Sequence, residues 1–157
     1  MNFDIAFDRL LGHEGGYSDD PKDPGGETNW GVSKRAYPNV DIKGLTKQGA
    51  MQIYLKDYWE PLGPAHPAVK FQVFDFAVNG GLMTGLRKLQ SAVGVADDGH
   101  WGPHSAEALA SMEVNDVLLR FNKERLRYYT SLRQWPVYGK GWTNRVADNL
   151  GFAAEDN

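Results

Sequence analysis

Residues 68–79, Ala68-Val69-Lys70-Phe71-Gln72-Val73-Phe74-Asp75-Phe76-Ala77-Val78-Asn79, are apolar almost all the way round a helical wheel. A helix of that kind has no face to offer water, so other elements must surround it. Gly80-Gly81 follow at once and stop it. The chain is therefore constrained to a globular domain built round a central helix, and the rest of the sequence has to supply the shell.

The shell is mostly helical. Phe3, Ala6, Phe7, Leu10 and Leu11 recur with helical period and predict a helix over 3–14, capped by Asn2 and ended by Gly15-Gly16. Thr46 caps a second helix that carries Ala50, Ile53, Tyr54 and Tyr58, after which Pro61, Pro64 and Pro67 force an irregular connection. Beyond the central helix, the pattern predicts a helix over about 83–93, a turn at Asp97-Asp98-Gly99, and a short helix from Ser105 to about Met112. A long helix capped by Asn115 runs from Asp116 to about Leu132, Trp135-Pro136 breaks it, and a last one spans about Trp142 to Leu150. Residues 15–33 are rich in Gly, Asp, Pro and Ser and read as a loop or small hairpin, with short strands at Tyr17-Ser18 and Trp30-Gly31-Val32. The fold class is mainly α, with one small Gly-rich β-hairpin near the start.

At 157 residues the chain is of single-domain size. No linker or repeat divides it, so we read residues 1–157 as one domain with two intergrown lobes, 1–80 and 81–150. Cysteine is absent, which excludes disulfides, thiolate metal sites and thiol nucleophiles. The first eleven residues carry acids where a signal peptide needs bases, and no window approaches a membrane span. A net charge of −3 opposes general nucleic-acid binding. The charge is uneven, however: residues 120–145 hold seven bases (Arg120, Lys123, Arg125, Arg127, Arg133, Lys140, Arg145) against Glu124 alone. A solvated helix face is the plain reading of that run. The sharper one is weak contact with anionic membrane or wall polymer, the apolar side of the helix being Val117, Phe121, Tyr128 and Leu132.

Glu14 carries the most chemical information. Eleven residues after Phe3 and seven after Phe7, it continues the apolar stripe of the first helix. A carboxyl against apolar side chains loses water, which favours its protonated form and suits a general acid at neutral pH. Asp23 follows inside Asp23-Pro24-Gly25-Gly26-Glu27-Thr28-Asn29-Trp30-Gly31. An acid at a helix end facing a carboxylate and a hydroxyl on a loop matches the two-carboxylate arrangement of an inverting glycosidase. Taken singly, Glu14 reads as a helix-end ion pair, Asp23 as a turn former and Thr28 as a hairpin hydroxyl.

The joint pattern resembles a known family. His13-Glu14-Gly15-Gly16-Tyr17, Asp23 through Ser33, Tyr58-Trp59-Glu60-Pro61 and Phe74 through Gly81 are similar to glycoside hydrolase family 108, phage and bacterial N-acetylmuramidases. Leu89-Gln90, Asp98-Gly99, Trp101-Gly102-Pro103 and Gly141-Trp142-Thr143-Asn144-Arg145-Val146 resemble that family's C-terminal half, often described as peptidoglycan-binding. The resemblance implies a lysozyme-like fold and cleavage of the β-1,4 bond between N-acetylmuramic acid and N-acetylglucosamine. It places the catalytic acid on Glu14, while Asp23, with or without Thr28, is the candidate for acting on water from the residues themselves. It further implies an endolysin made in a host cytoplasm, working as a monomer on the wall after holin-dependent release. The Asp-to-Thr gap is one residue shorter than in the similar lysozymes of T-even phages.

Tyr17, Trp30 and Tyr37 are candidates for stacking on sugar rings, and Asn79 for binding an N-acetyl group or simply closing its helix. His100 and His104 are separated by Gly102-Pro103, which removes helical ligand spacing, so neither a metal nor a cofactor is expected. Two rival readings remain open at this level. One is a lytic transglycosylase on the same fold, needing no second carboxylate. The other is a wall-binding or virion module without catalysis.

Overall fold

The structure, a computed structural model, describes residues 1–12, 16–20 and 25–157. Glu14 and Asp23 lie outside the described residues. The chain divides into two compact units, Asn2–Pro61 and Leu62–Asn157 with Met1. The central helix, Pro67–Gly80, groups with the C-terminal unit.

In the N-terminal unit, α1 spans Phe3–Leu11, with the Asn2 side chain accepting from the Ile5 amide. Ala6, Phe7 and Leu10 are buried, and the Phe7 ring meets Tyr54 at 5.5 Å. The helix ends at Leu11, earlier than the expected residue 14, because Gly12 turns to φ +58°. Strands β1 (Thr28–Asn29) and β2 (Val32–Ser33) form an antiparallel hairpin, and Ser18 bridges β1 on its other side. The two-residue loop is Trp30-Gly31, both at positive φ, as the twist of a tight hairpin requires. Gly31 is also needed for space, since a Cβ there would sit 2.5 Å from the Tyr54 hydroxyl. α2 (Lys47–Tyr54) is capped by Thr46 as expected. It continues as a π-helical turn, Leu55–Trp59, and a 3₁₀ turn, Glu60–Leu62.

The C-terminal unit is built on α3 (Pro67–Gly80), in which residues 71–77 are all buried. Around it pack α4 (Leu82–Val93), α6 (Val114–Ser131) and α7 (Trp135–Asp156), with α5 (Pro103–Ala110) against α4. Gly81 at φ +89° makes the sharp turn into α4, and Gly85 lets α4 lie close on Ala77.

Three helix starts differ from expectation. α5 begins at Pro103, leaving Ser105 buried inside it, and α6 begins at Val114, with Asn115 in its first turn. α7 begins at Trp135 and runs unbroken to Asp156. Pro136 starts this helix instead of separating two, because a proline in the first turn gives up an amide that has no helical acceptor anyway.

Two polar residues of α3, three apart and so on one face, hold the neighbouring helices. Gln72 donates to the Asn149 carbonyl of α7 (2.5 Å) and accepts from Asn122 of α6 (3.3 Å). Asp75 binds Arg125 of α6 at 2.6 Å, and both Arg145 (2.6 Å) and Asn149 (2.6 Å) of α7. Burial alone would raise the Asp75 carboxyl, but the hydrogen bonds and charges of Arg145 and Arg125 outweigh it and hold the group below the usual carboxylate range. Arg125 is fully buried between the rings of Phe76 and Tyr129, each 5.5 Å away. Two of the seven bases counted in the basic stretch are thus committed to the interior carboxylate.

Candidate active site

Of the residues singled out from the sequence, Tyr17, Thr28 and Trp30 come together on the N-terminal hairpin. Thr28 is the middle strand residue. Its backbone exchanges two 2.8 Å hydrogen bonds with Ser18 on one side and pairs with Ser33 on the other. Its hydroxyl is half-buried and donates to the Gly26 carbonyl at 3.3 Å, which leaves the oxygen able to accept from a water or sugar hydroxyl. The backbone around it is closely fixed: the Lys34 amide donates to the Glu27 carbonyl at 2.8 Å and the Arg35 amide to Gly25 at 3.1 Å.

Trp30 occupies the turn at φ +51°, a backbone region that bulky residues seldom adopt. Its indole Nε1 donates to the Leu45 carbonyl at 3.1 Å, and the neighbouring Asn29 amide donates to the Ile42 (3.0 Å) and Leu45 (3.2 Å) carbonyls. The loop leading to α2 therefore anchors the turn and orients the half-exposed indole. Tyr17 is 41% exposed; its hydroxyl donates to Glu27 at 2.8 Å and its ring lies 6.0 Å from the Lys43 ammonium. The hydrogen bond to Glu27, burial and the charges of Glu27 and Asp19 push its phenol up to about 12. Tyr37 is engaged differently: half-buried, it donates to Asp57 on the π-helical turn at 2.8 Å, and burial with that bond raises its phenol. It serves to tie the hairpin's exit to that turn.

Asn79 belongs to the other unit. It is exposed on the last turn of α3, and its Nδ2 donates back to the Asp75 carbonyl at 2.8 Å. His100 and His104 are exposed at the rim of a cavity of about 460 Å³ beside α4. The motif residues there have a structural task. Buried Gln90 donates to Asp98 (2.9 Å), the His100 carbonyl (3.0 Å) and Ser105 (3.1 Å), and accepts from the Gly99 amide at 2.8 Å. Among the described residues, no three His, Asp or Glu side chains gather as a metal site.

A family model described as glycosyl hydrolase 108 matches residues 7–81. The structure of SagA from Brucella abortus superposes on this chain with a TM-score of 0.88 at 32% sequence identity, covering 98% of this chain and 94% of that one. The chain belongs to glycosyl hydrolase family 108. No curated protein matches it by sequence. The fold is the mainly helical, lysozyme-like one that the resemblance implied, and glycoside hydrolysis is the activity the family supports. Among the described residues, no helix is long and apolar enough to cross a membrane.

The residues that sequence reasoning missed are Glu27, which the Tyr17 hydroxyl holds, and the Asp75–Arg125–Arg145 cluster. A signal for the second was present. Leu118, Phe121, Asn122, Arg125 and Tyr129 share one helical stripe, and all five are buried.

Proposed function

We propose that this family-108 chain hydrolyses the β-1,4 bond between N-acetylmuramic acid and N-acetylglucosamine in peptidoglycan. Glu14 protonates the glycosidic oxygen as the bond breaks. The Asp23 carboxylate takes a proton from a water on the opposite face of the sugar ring, and the Thr28 hydroxyl helps to position that water. Tyr17 and Trp30 offer ring faces to the saccharide, and Asn79 offers an amide to an N-acetyl group. In this reading the N-terminal lobe carries the chemistry and the C-terminal lobe helps to hold the glycan. The protein acts as a monomeric endolysin in host lysis by a phage, reaching the wall after release from the cytoplasm.

One observation carries the reading: the segment from Glu14 to Thr28 lies within residues 7–81, where the glycosyl hydrolase model matches. The hairpin supports it by fixing the Thr28 backbone on both sides while leaving its oxygen an acceptor. An inverting mechanism needs roughly 6.5–9.5 Å between the two carboxyl groups, enough for a water. Digestion of purified sacculi followed by mass spectrometry tests the reaction. Hydrolysis leaves reducing N-acetylmuramic acid ends; 1,6-anhydro ends would assign a transglycosylase instead. NMR of the fresh product is expected to show the inverted anomer. Asp23→Asn is expected to lower turnover strongly with little change in binding, and unchanged turnover would remove Asp23 from the mechanism.

A further inference from the structure

The run of bases over residues 120–145, a candidate for weak contact with anionic membrane or wall polymer, divides into two parts on the structure. On α6, Arg120 and Lys123 share the surface with Asp116 and half-buried Glu124, and Lys123 pairs with Glu124 at 2.8 Å. The neighbouring stretch is different. Residues 125–147 contain no acid, and after Arg125 and Arg145 are taken up by Asp75, the exposed bases Arg127, Arg133 and Lys140 remain. Between Arg133 and Lys140, the first turn of α7 presents Val137, 74% exposed, and Tyr138, 56% exposed, beside half-buried Trp135.

These side chains stand on a firm base. The Trp135 ring lies over Gly139, where a Cβ would come within 2.7 Å of it. Trp142 stacks on Tyr129 at 5.1 Å and meets Tyr138 at 5.8 Å and Trp135 at 6.3 Å. Aliphatic and amphipathic aromatic groups held outward and flanked by cations combine the two attractions of an interfacial lipid-binding segment.

We infer that the start of α7, with Trp135, Val137 and Tyr138 between Arg133 and Lys140, is a docking face for anionic phospholipid. It stands independently of the hydrolytic reading, since it involves none of the residues assigned to that chemistry.

Cosedimentation of the full chain with vesicles of phosphatidylglycerol and phosphatidylcholine, against phosphatidylcholine alone, tests it. The wild type is expected to prefer the anionic vesicles and to lose that preference as NaCl rises past the Debye regime. Arg133→Gln with Lys140→Gln is expected to weaken binding about 25-fold at low salt, from about fivefold per charge. Val137→Ser with Tyr138→Ser is expected to weaken it about tenfold at any salt. Binding to purified sacculi is expected to be unchanged in both. Val137→Ser alone reads the same face should a double variant lose its far-UV spectrum. Equal binding to both vesicle types, or equal binding by all variants, overturns the proposal. So does a loss confined to sacculi, which would make the face a glycan surface, or a wild-type dimer that the Val137 change dissociates, which would make it a contact between copies.

Discussion

The N-terminal hairpin and the interior of the C-terminal unit use polar side chains in opposite ways. On the hairpin, Asn29, Trp30 and Lys34 donate from their side chains to backbone carbonyls, which shapes a loop and leaves Thr28 with acceptor capacity. Around α3, side chain meets side chain: Asp75 accepts from Arg125, Arg145 and Asn149, and its oxygens are used up. The buried charge of Asp75 therefore serves the fold and not chemistry. Among the described residues, the most deeply buried carboxylate is a bolt between three helices, and the described part of the candidate site is a hairpin shaped by side chains that donate to backbone carbonyls.

That contrast can be broken experimentally. Arg125→Met leaves Asp75 short of a buried partner and is expected to cost about 3–5 kcal/mol, whereas Asp75→Leu with Arg125→Met together is expected to recover much of it. Urea unfolding measures both, and equal losses for the single and double variants would contradict the bolt. A smaller effect concerns pH. The folded Asp75 carboxyl lies below its unfolded value of about 3.9, so its stabilisation is complete above that value. It is lost as pH falls through the lower folded value. Thermal midpoints are expected to fall more steeply below about pH 4 in the wild type than in Asp75→Asn.

On the hairpin, Gly31→Ala meets both a positive φ and the Tyr54 hydroxyl, and a loss of about 1–2 kcal/mol is expected. Amide exchange at Thr28 and Ser33 should rise with it, while exchange within α3 should not. The smallest effect is expected from Tyr17→Phe. Its bond to Glu27 lies at the surface, so stability should change by less than about 0.5 kcal/mol. Ultraviolet titration of the wild type should show a tyrosine ionising near 12 that the variant lacks.

Much of this was legible from the chain itself. The all-round apolarity of 68–79 announced a central helix, and Asn2 and Thr46 announced their caps. Trp30-Gly31, expected within a strand, form the turn between β1 and β2, because so short a Gly-containing pattern does not separate strand from turn. Helix starts were misplaced where proline does the starting, at Pro103 and Pro136, because the same residue also ends helices. Arg125 was counted as a surface base since composition weighs charge without facing. Its place three residues after Asn122 and four after Phe121 put it on the buried stripe. What no pattern within one helix reveals is the partner: Asp75, Arg125 and Arg145 are far apart in sequence, and only packing brings them together.

The central claim is that the chemistry resides in the Glu14-to-Thr28 block and that the buried charges serve the fold. Measuring lysis of permeabilised Gram-negative cells and thermal stability on the same two variants tests it most directly. Glu14→Gln is expected to lose about 10²–10⁴-fold in activity with its melting point kept or raised. Asp75→Asn is expected to melt lower yet retain lysis at temperatures where it is folded. A Glu14→Gln protein keeping more than about a tenth of the activity, or a folded Asp75→Asn protein as inactive as it, would contradict the account.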